Sequence, residues 1–302
     1  MRRKTFVMTA AAGLAAWATG LSESRGSSRT AEAMDAREHS GPACGLDSYA
    51  QTPPEADYLA RGLRRFFEFT DAGNAKAREI WRLGLTEYPG SVWLQTRLAW
   101  TYLQDLFYLR SKDPAGDIDR AYTLVKDASG ANAVLGDAAW SNHWAMVSLA
   151  LLHDHDAARA LAEARFVHRI FPDDARANSN LSFWVAAAGD VNLAVEWAEA
   201  ALRCEPPGPK WITGNLGSVY YFAGRHQEAL DKILPAKDDF PDFVTNIYVA
   251  LGRLSDARAT VAEWRKADPS VTVTKMAILT PLVEPLMRRY LDGLRKVGLP
   301  EA

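Results

Sequence analysis

His153-Asp154-His155-Asp156 is the one run in this 302-residue chain whose residue types and spacing match metal chemistry. Alternating imidazoles and carboxylates can hold Zn²⁺ when a further ligand comes from elsewhere. The run also reads as a turn between two helices, with Asp156 accepting the free N–H groups of the second. The other histidines, His39, His143, His168 and His226, are scattered. Cys44 and Cys204 have no metal-ligand spacing to another Cys or His, and two cysteines build no disulfide framework. The chain has no Gly-rich phosphate loop, no Gly-x-Ser-x-Gly elbow and no His-Glu-x-x-His. The acidic pairs Asp173-Asp174 and Asp238-Asp239 sit where helices should begin. No residue set supports catalysis, so the expectation is a protein that binds, with no cofactor and no metal.

The elements that would do the binding are written in a repeat. Five times a proline follows an alanine by twelve residues: Ala77 and Pro89, Ala160 and Pro172, Ala194 and Pro206, Ala229 and Pro241, Ala257 and Pro269. The middle prolines are 34 and 35 residues apart. A 34-residue period is that of the tetratricopeptide repeat, a pair of helices that buries its apolar face only by stacking on a neighbour. The fold expected is all-α, an α-solenoid of about six such pairs with a C-terminal capping helix.

The pairs can be followed in order. Tyr58, Leu59, Leu63, Phe66 and Phe67 make the first apolar stripe, Asp71 to Asn74 the expected turn, and Ala77, Ile80, Trp81 and Leu85 the second helix. Trp93 to Leu103 opens the second pair; the polar run Arg110 to Asp117 carries an insertion before a partner helix over 118–128. Trp140, Trp144, Val147 and Leu151 begin the third pair, and Leu181 and Val185 the fourth. The fifth, Asn215 to Ala236, is the most specific: Gly217 permits close helix approach, Gly224 the tight turn, and Ala229 marks the crossing. The sixth unit spans only 28 residues between prolines, so its first helix, near Phe243 to Leu251, is expected to be about two turns short. Leu282 to Val297 is expected to form the cap, with Arg288, Arg289, Arg295 and Lys296 outward.

From Tyr58 onward the chain resembles the tetratricopeptide region found C-terminal to class III adenylate/guanylate cyclase domains. The residues carrying this are Tyr58 to Leu63, Asn74 to Glu79, Leu98 to Tyr102, Ser111 to Pro114, Leu251 to Arg258 and Leu294 to Glu301. The resemblance implies an interaction scaffold. It does not imply cyclase activity, because no segment has the paired metal-binding aspartates in a βαβ setting that a cyclase domain needs. In arrays of this family the first helix of each pair lines a concave groove, and the position 26 residues before the repeat proline points into it. That position holds Asn180 and Asn215 in adjacent units. A carboxamide donates and accepts at once, so two stacked ones can hold an extended peptide backbone; at the same place each can instead bond a neighbouring helix. Phe183, Trp211, Tyr221 and Phe222 would surround them, with Arg176 at the rim. The expected partner is a peptide or protein.

Composition bounds the rest. A formal charge of −2 and a pI near 6.3 argue against a nucleic-acid partner. The ten tryptophans read mainly as core. Arg2, Arg3 and Lys4 precede an uncharged Ala-rich run, Thr5 to Leu21, which suits a signal peptide or an uncleaved anchor. Residues 1–33 are therefore expected to be an export signal or anchor, 34–55 a disordered linker, and 56–302 the helical repeat domain. The expected location is the periplasm or cell envelope, with a membrane role only through an uncleaved N-terminal segment; a cytoplasmic cyclase-type module is the alternative.

Overall fold

The computed structural model describes residues 54–302 apart from 69, 109, 131–136 and 204–209. The N-terminal segment 1–33, nearly all of the linker, Cys44, Cys204, Pro206 and the side chain of Trp140 lie outside the described residues. Among those residues are fourteen α-helices and no strand.

The helices are α1 (Ala56–Phe66), α2 (Asp71–Glu87), α3 (Val92–Phe107), α4 (Pro114–Gly130), α5 (Asp137–Leu152), α6 (Ala157–Ile170), α7 (Ala175–Ala187), α8 (Val191–Ala201), α9 (Lys210–Phe222), α10 (His226–Ile233), α11 (Pro241–Ala250), α12 (Leu254–Ala267), α13 (Val273–Leu279) and α14 (Leu286–Lys296). A 3₁₀ turn, Leu234–Ala236, extends α10. None of the described helices is long and apolar enough to cross a membrane.

Each of the first eleven packs on its successor, and α1–α3, α3–α5, α7–α9 and α9–α11 also pack next-but-one. From α3 to α12 the odd-numbered helices are thus the inner ones and the even-numbered helices cover them. Burial follows this division. Twelve residues of α7 are buried, on every side, whereas α8 buries Ala194, Trp197, Ala198 and Ala201 alone and α6 only Ala160, Ala164 and Val167. A helix apolar all round belongs inside, and a one-striped helix covers it. The five repeat alanines, Ala77, Ala160, Ala194, Ala229 and Ala257, are at most 1% exposed. They sit where outer helices cross inner ones, and a larger side chain there would hold the axes apart. Gly217 does the same on the other side of a crossing: a Cβ there would stand 2.9 Å from the Ala229 carbonyl oxygen.

Several local expectations need correction. Asp71 to Asn74 is the first turn of α2, because Thr70 caps it by accepting from the Gly73 N–H. Glu55 belongs to the fold: its carboxylate accepts from the Ser91 hydroxyl and its carbonyl from the Leu59 N–H. Helix α4 starts four residues early, at Pro114, since proline suits the first helical position. Asp174 caps α7 as expected, but Asp238 and Asp239 cap nothing; Phe240 precedes α11, and Pro241 is its first residue. The short sixth unit has lost one turn: α11 has 10 residues against 13 in α9. The rest of the deficit lies in the connection, since α11 begins at the repeat proline itself. Helix α11 is also out of register. By the Gly224–Gly252 alignment Phe243 would stand beside Asn215; instead it meets Phe183, Tyr221 and Phe222.

The C-terminal cap is the largest departure. The expected Leu282 to Val297 helix is α14, but it starts four residues late, at Leu286, after Pro285, which supplies no N–H for a turn running through it. Helix α13 lies against the α3–α4 connection, where Leu106, Ser111, Pro114, Lys275, Ile278 and Leu279 line a small cavity. The chain then runs back past α7 and α9, and α14 settles on α11.

Candidate functional site

The His-Asp run is a turn. Asp156 caps α6, accepting from the Arg159 N–H at 2.9 Å. The His153 ring stacks on Tyr122 with centroids 3.7 Å apart and bonds Asp154, which also takes Arg159 at 2.6 Å. Among the described residues no three His, Cys, Asp or Glu side chains converge on a metal-sized site.

Six of the seven residues expected to line an open groove are buried: Asn180, Phe183, Trp211, Asn215, Tyr221 and Phe222. Arg176, at the start of α7, is half-buried. The two asparagines are stitches between inner helices. Asn180 Oδ1 accepts from Trp144 Nε1 of α5 at 2.6 Å, and Asn215 Nδ2 donates to the Ser179 carbonyl of α7 at 3.2 Å. They are 4% and 1% exposed, so no trough opens beside them. The physical reason is the packing of the inner row itself. Carboxamides buried between apolar helices must find partners, and the nearest are on the adjacent helices.

The structure does bring Phe183, Tyr221 and Phe222 together, with Phe243 as the fourth ring; their centroids lie 5.5–6.4 Å apart. This cluster marks the C-terminal ends of α7 and α9 and the N-terminal end of α11. Residues 280–291 of the same chain cover it. The Val283 N–H donates to the Ala187 carbonyl at 2.9 Å. Arg289 Nη2 donates to the Phe222 carbonyl at 3.1 Å, and its guanidinium stands 5.0 Å from the Tyr221 ring centroid. Tyr290 packs on Phe243 at 5.5 Å and donates its hydroxyl to Asp242 Oδ2 at 2.7 Å.

The electrostatics follow from this burial. Asp242 is fully buried, which pushes its carboxyl up to about 6; the Tyr290 hydroxyl and backbone N–H groups only partly oppose this. Burial also raises the Tyr290 hydroxyl, and the Asp242 charge adds to it. Tyr221 is pushed up to about 12 by burial, against the pull of Arg289. His226, beside Tyr221, is held below its ordinary value by burial and then by the Arg289 charge.

Asp242 and Tyr290 are absent from the residues that sequence reasoning selected, and Arg289 was expected only as an outward residue of the cap, which it is, though it also reaches the Phe222 carbonyl. The signal for them was Pro281 and Pro285, four residues apart, framing Leu282 and Val283: an extended apolar strip and not a helix. No protein-family model matches this chain, and no curated protein matches it either.

Proposed function

We propose that this chain is a non-catalytic interaction scaffold of tetratricopeptide type, and that the face made by α7, α9 and α11 binds a peptide or protein partner. One observation carries the reading: that face already holds a peptide, the chain's own residues 280–291. The contacts combine one extended residue, Val283, with Arg289 and Tyr290 on the first turns of α14. A ligand N–H meets a helix-terminal carbonyl, a ligand arginine meets a second carbonyl, and a ligand tyrosine enters an aromatic pocket with a polar floor. The two-row packing and the five buried alanines support the repeat assignment.

Photo-crosslinking tests it. A benzoylphenylalanine at Ala223, half-buried beside the face, is compared with one at Leu83, 53% exposed on α2. Adducts to one partner at 223 and none at 83 are expected. Equal labelling, or labelling at 83 alone, would remove the α7–α9–α11 face as the site.

A further inference from the structure

We propose that residues 280–296 are an intramolecular ligand of the α7–α9–α11 face, and that an external partner enters by displacing them. This deepens the reading above and rests on it.

The segment is attached unevenly. Thr280, Leu282, Tyr290, Leu291 and Leu294 are buried, but Glu284, Pro285, Arg288 and Arg289 are exposed. Arg288 and Glu284 pair only with each other, at 3.6 Å. Between Pro281 and Arg289 the hydrogen bonds to the array come from two residues, Val283 to Ala187 and Arg289 to Phe222 and the Tyr221 hydroxyl. Such a stretch can lift from an otherwise folded protein, since few contacts must break together.

The face also specifies its ligand. Most of its polar groups that meet the segment are acceptors: the Ala187 and Phe222 carbonyls and the Asp242 carboxylate, with the Tyr221 hydroxyl beside Arg289. A further acceptor, Asn246 Oδ1 on α11, is buried under α14 without a donor, 1.9 Å from where a Cβ on Gly293 would stand. The chain's own segment thus leaves a buried acceptor unmet. A ligand that supplies a donor there gains what α14 forgoes. The fitting partner is an apolar peptide rich in donors: a free backbone N–H in an extended stretch, then an arginine and a tyrosine on a helical turn.

The experiment uses full-length protein and a fluorescent synthetic peptide copying Thr280 to Lys296. Its affinity is measured by anisotropy for wild type and for Arg289→Ala, after circular dichroism has established that both chains are folded. The variant's segment leaves the face more often, and apparent affinity scales with the open fraction. R289A is therefore expected to bind at least about ten-fold more tightly. Equal affinities, or binding by neither chain, overturn the proposal. If R289A does not fold, hydrogen exchange of the wild type decides. Leu291 and Leu294 amides exchanging about ten-fold or more faster than those of Leu216 and Val219 sustain the proposal, and exchange at one common rate ends it. The two readings fail separately. Partner adducts at 223 without peptide binding leave a scaffold with a structural tail; peptide binding without adducts leaves a self-liganded face with no external client.

Discussion

At the scale of single residues, the buried polar groups of this protein are mostly structural, and their partners say what their loss would do. Asn180 is the acceptor for Trp144 Nε1 between two inner helices. Asn180→Ala removes the Oδ1 that this indole N–H donates to and opens a small void. A loss of about 1–3 kcal/mol in urea unfolding is expected, with the denaturant slope unchanged. An unchanged midpoint would mean that the bond contributes nothing.

Asp242 makes a pH prediction. Its carboxyl is raised from 3.8 to about 6 in the folded chain, so the folded state binds the proton more tightly than the unfolded one. Its favourable contribution is complete below the unfolded value and is lost as pH rises through about 6. Burial raises Asp174 and Asp239 in the same direction, so the wild-type decline has more than one source. Asp242→Asn is expected to flatten the fall in melting temperature between pH 4 and pH 6.5 without abolishing it. Parallel profiles for the two proteins would exclude Asp242 as a source.

At the scale of elements, the prolines and small residues explain what a period count alone does not. Pro89, Pro172 and Pro269 follow helices, whereas Pro114 and Pro241 begin them, and both uses come from the missing N–H. The same chemistry delays the expected cap, so that α14 begins only after Pro285. Helix α14 then takes its seat on α11 through Gly293, which faces the Asn246 side chain. Gly293→Ala is expected to cost about 1–3 kcal/mol through overpacking. Adding Asn246→Ala should recover much of that loss, because the clash is with the carboxamide. A double-mutant cycle by thermal unfolding checks it, and strict additivity would place the strain elsewhere.

At the scale of the whole molecule, the crossing of α13 and residues 280–285 joins parts of the chain far apart in sequence. Ile278 and Leu279 line one cavity with Leu106 and Pro114, the Val283 N–H bonds the Ala187 carbonyl, and Tyr290 bonds Asp242. A row of helices held only by nearest neighbours can unfold from an end, but these contacts tie the early helices to the last. Wild type is therefore expected to unfold in one transition seen alike by far-ultraviolet circular dichroism and tryptophan fluorescence. Leu279→Ser should separate the two probes. Coincident curves in the variant would show that α13 adds no long-range coupling.

Much of the fold was legible because it depends on local chemistry. The apolar spacing of Ala157 to Phe171, the Ala–Pro period and the acid at Asp156 each specify a helix or its end without knowledge of what lies opposite. The candidate site was legible only in its aromatic part: Phe183, Tyr221 and Phe222 do converge, whereas Asn180 and Asn215 were equally consistent with a ligand ladder and with inter-helix bonding. By itself the sequence determined an all-helical chain, the order of its pairs and the small residues at their crossings, because periodicity and steric size are properties of the residues themselves. Only the tertiary structure decided that the asparagines face neighbouring helices, that α11 leaves the register, and that residues 280–291 cover the aromatic cluster. Those outcomes depend on which surfaces meet across distant stretches of chain, and no local pattern encodes that meeting.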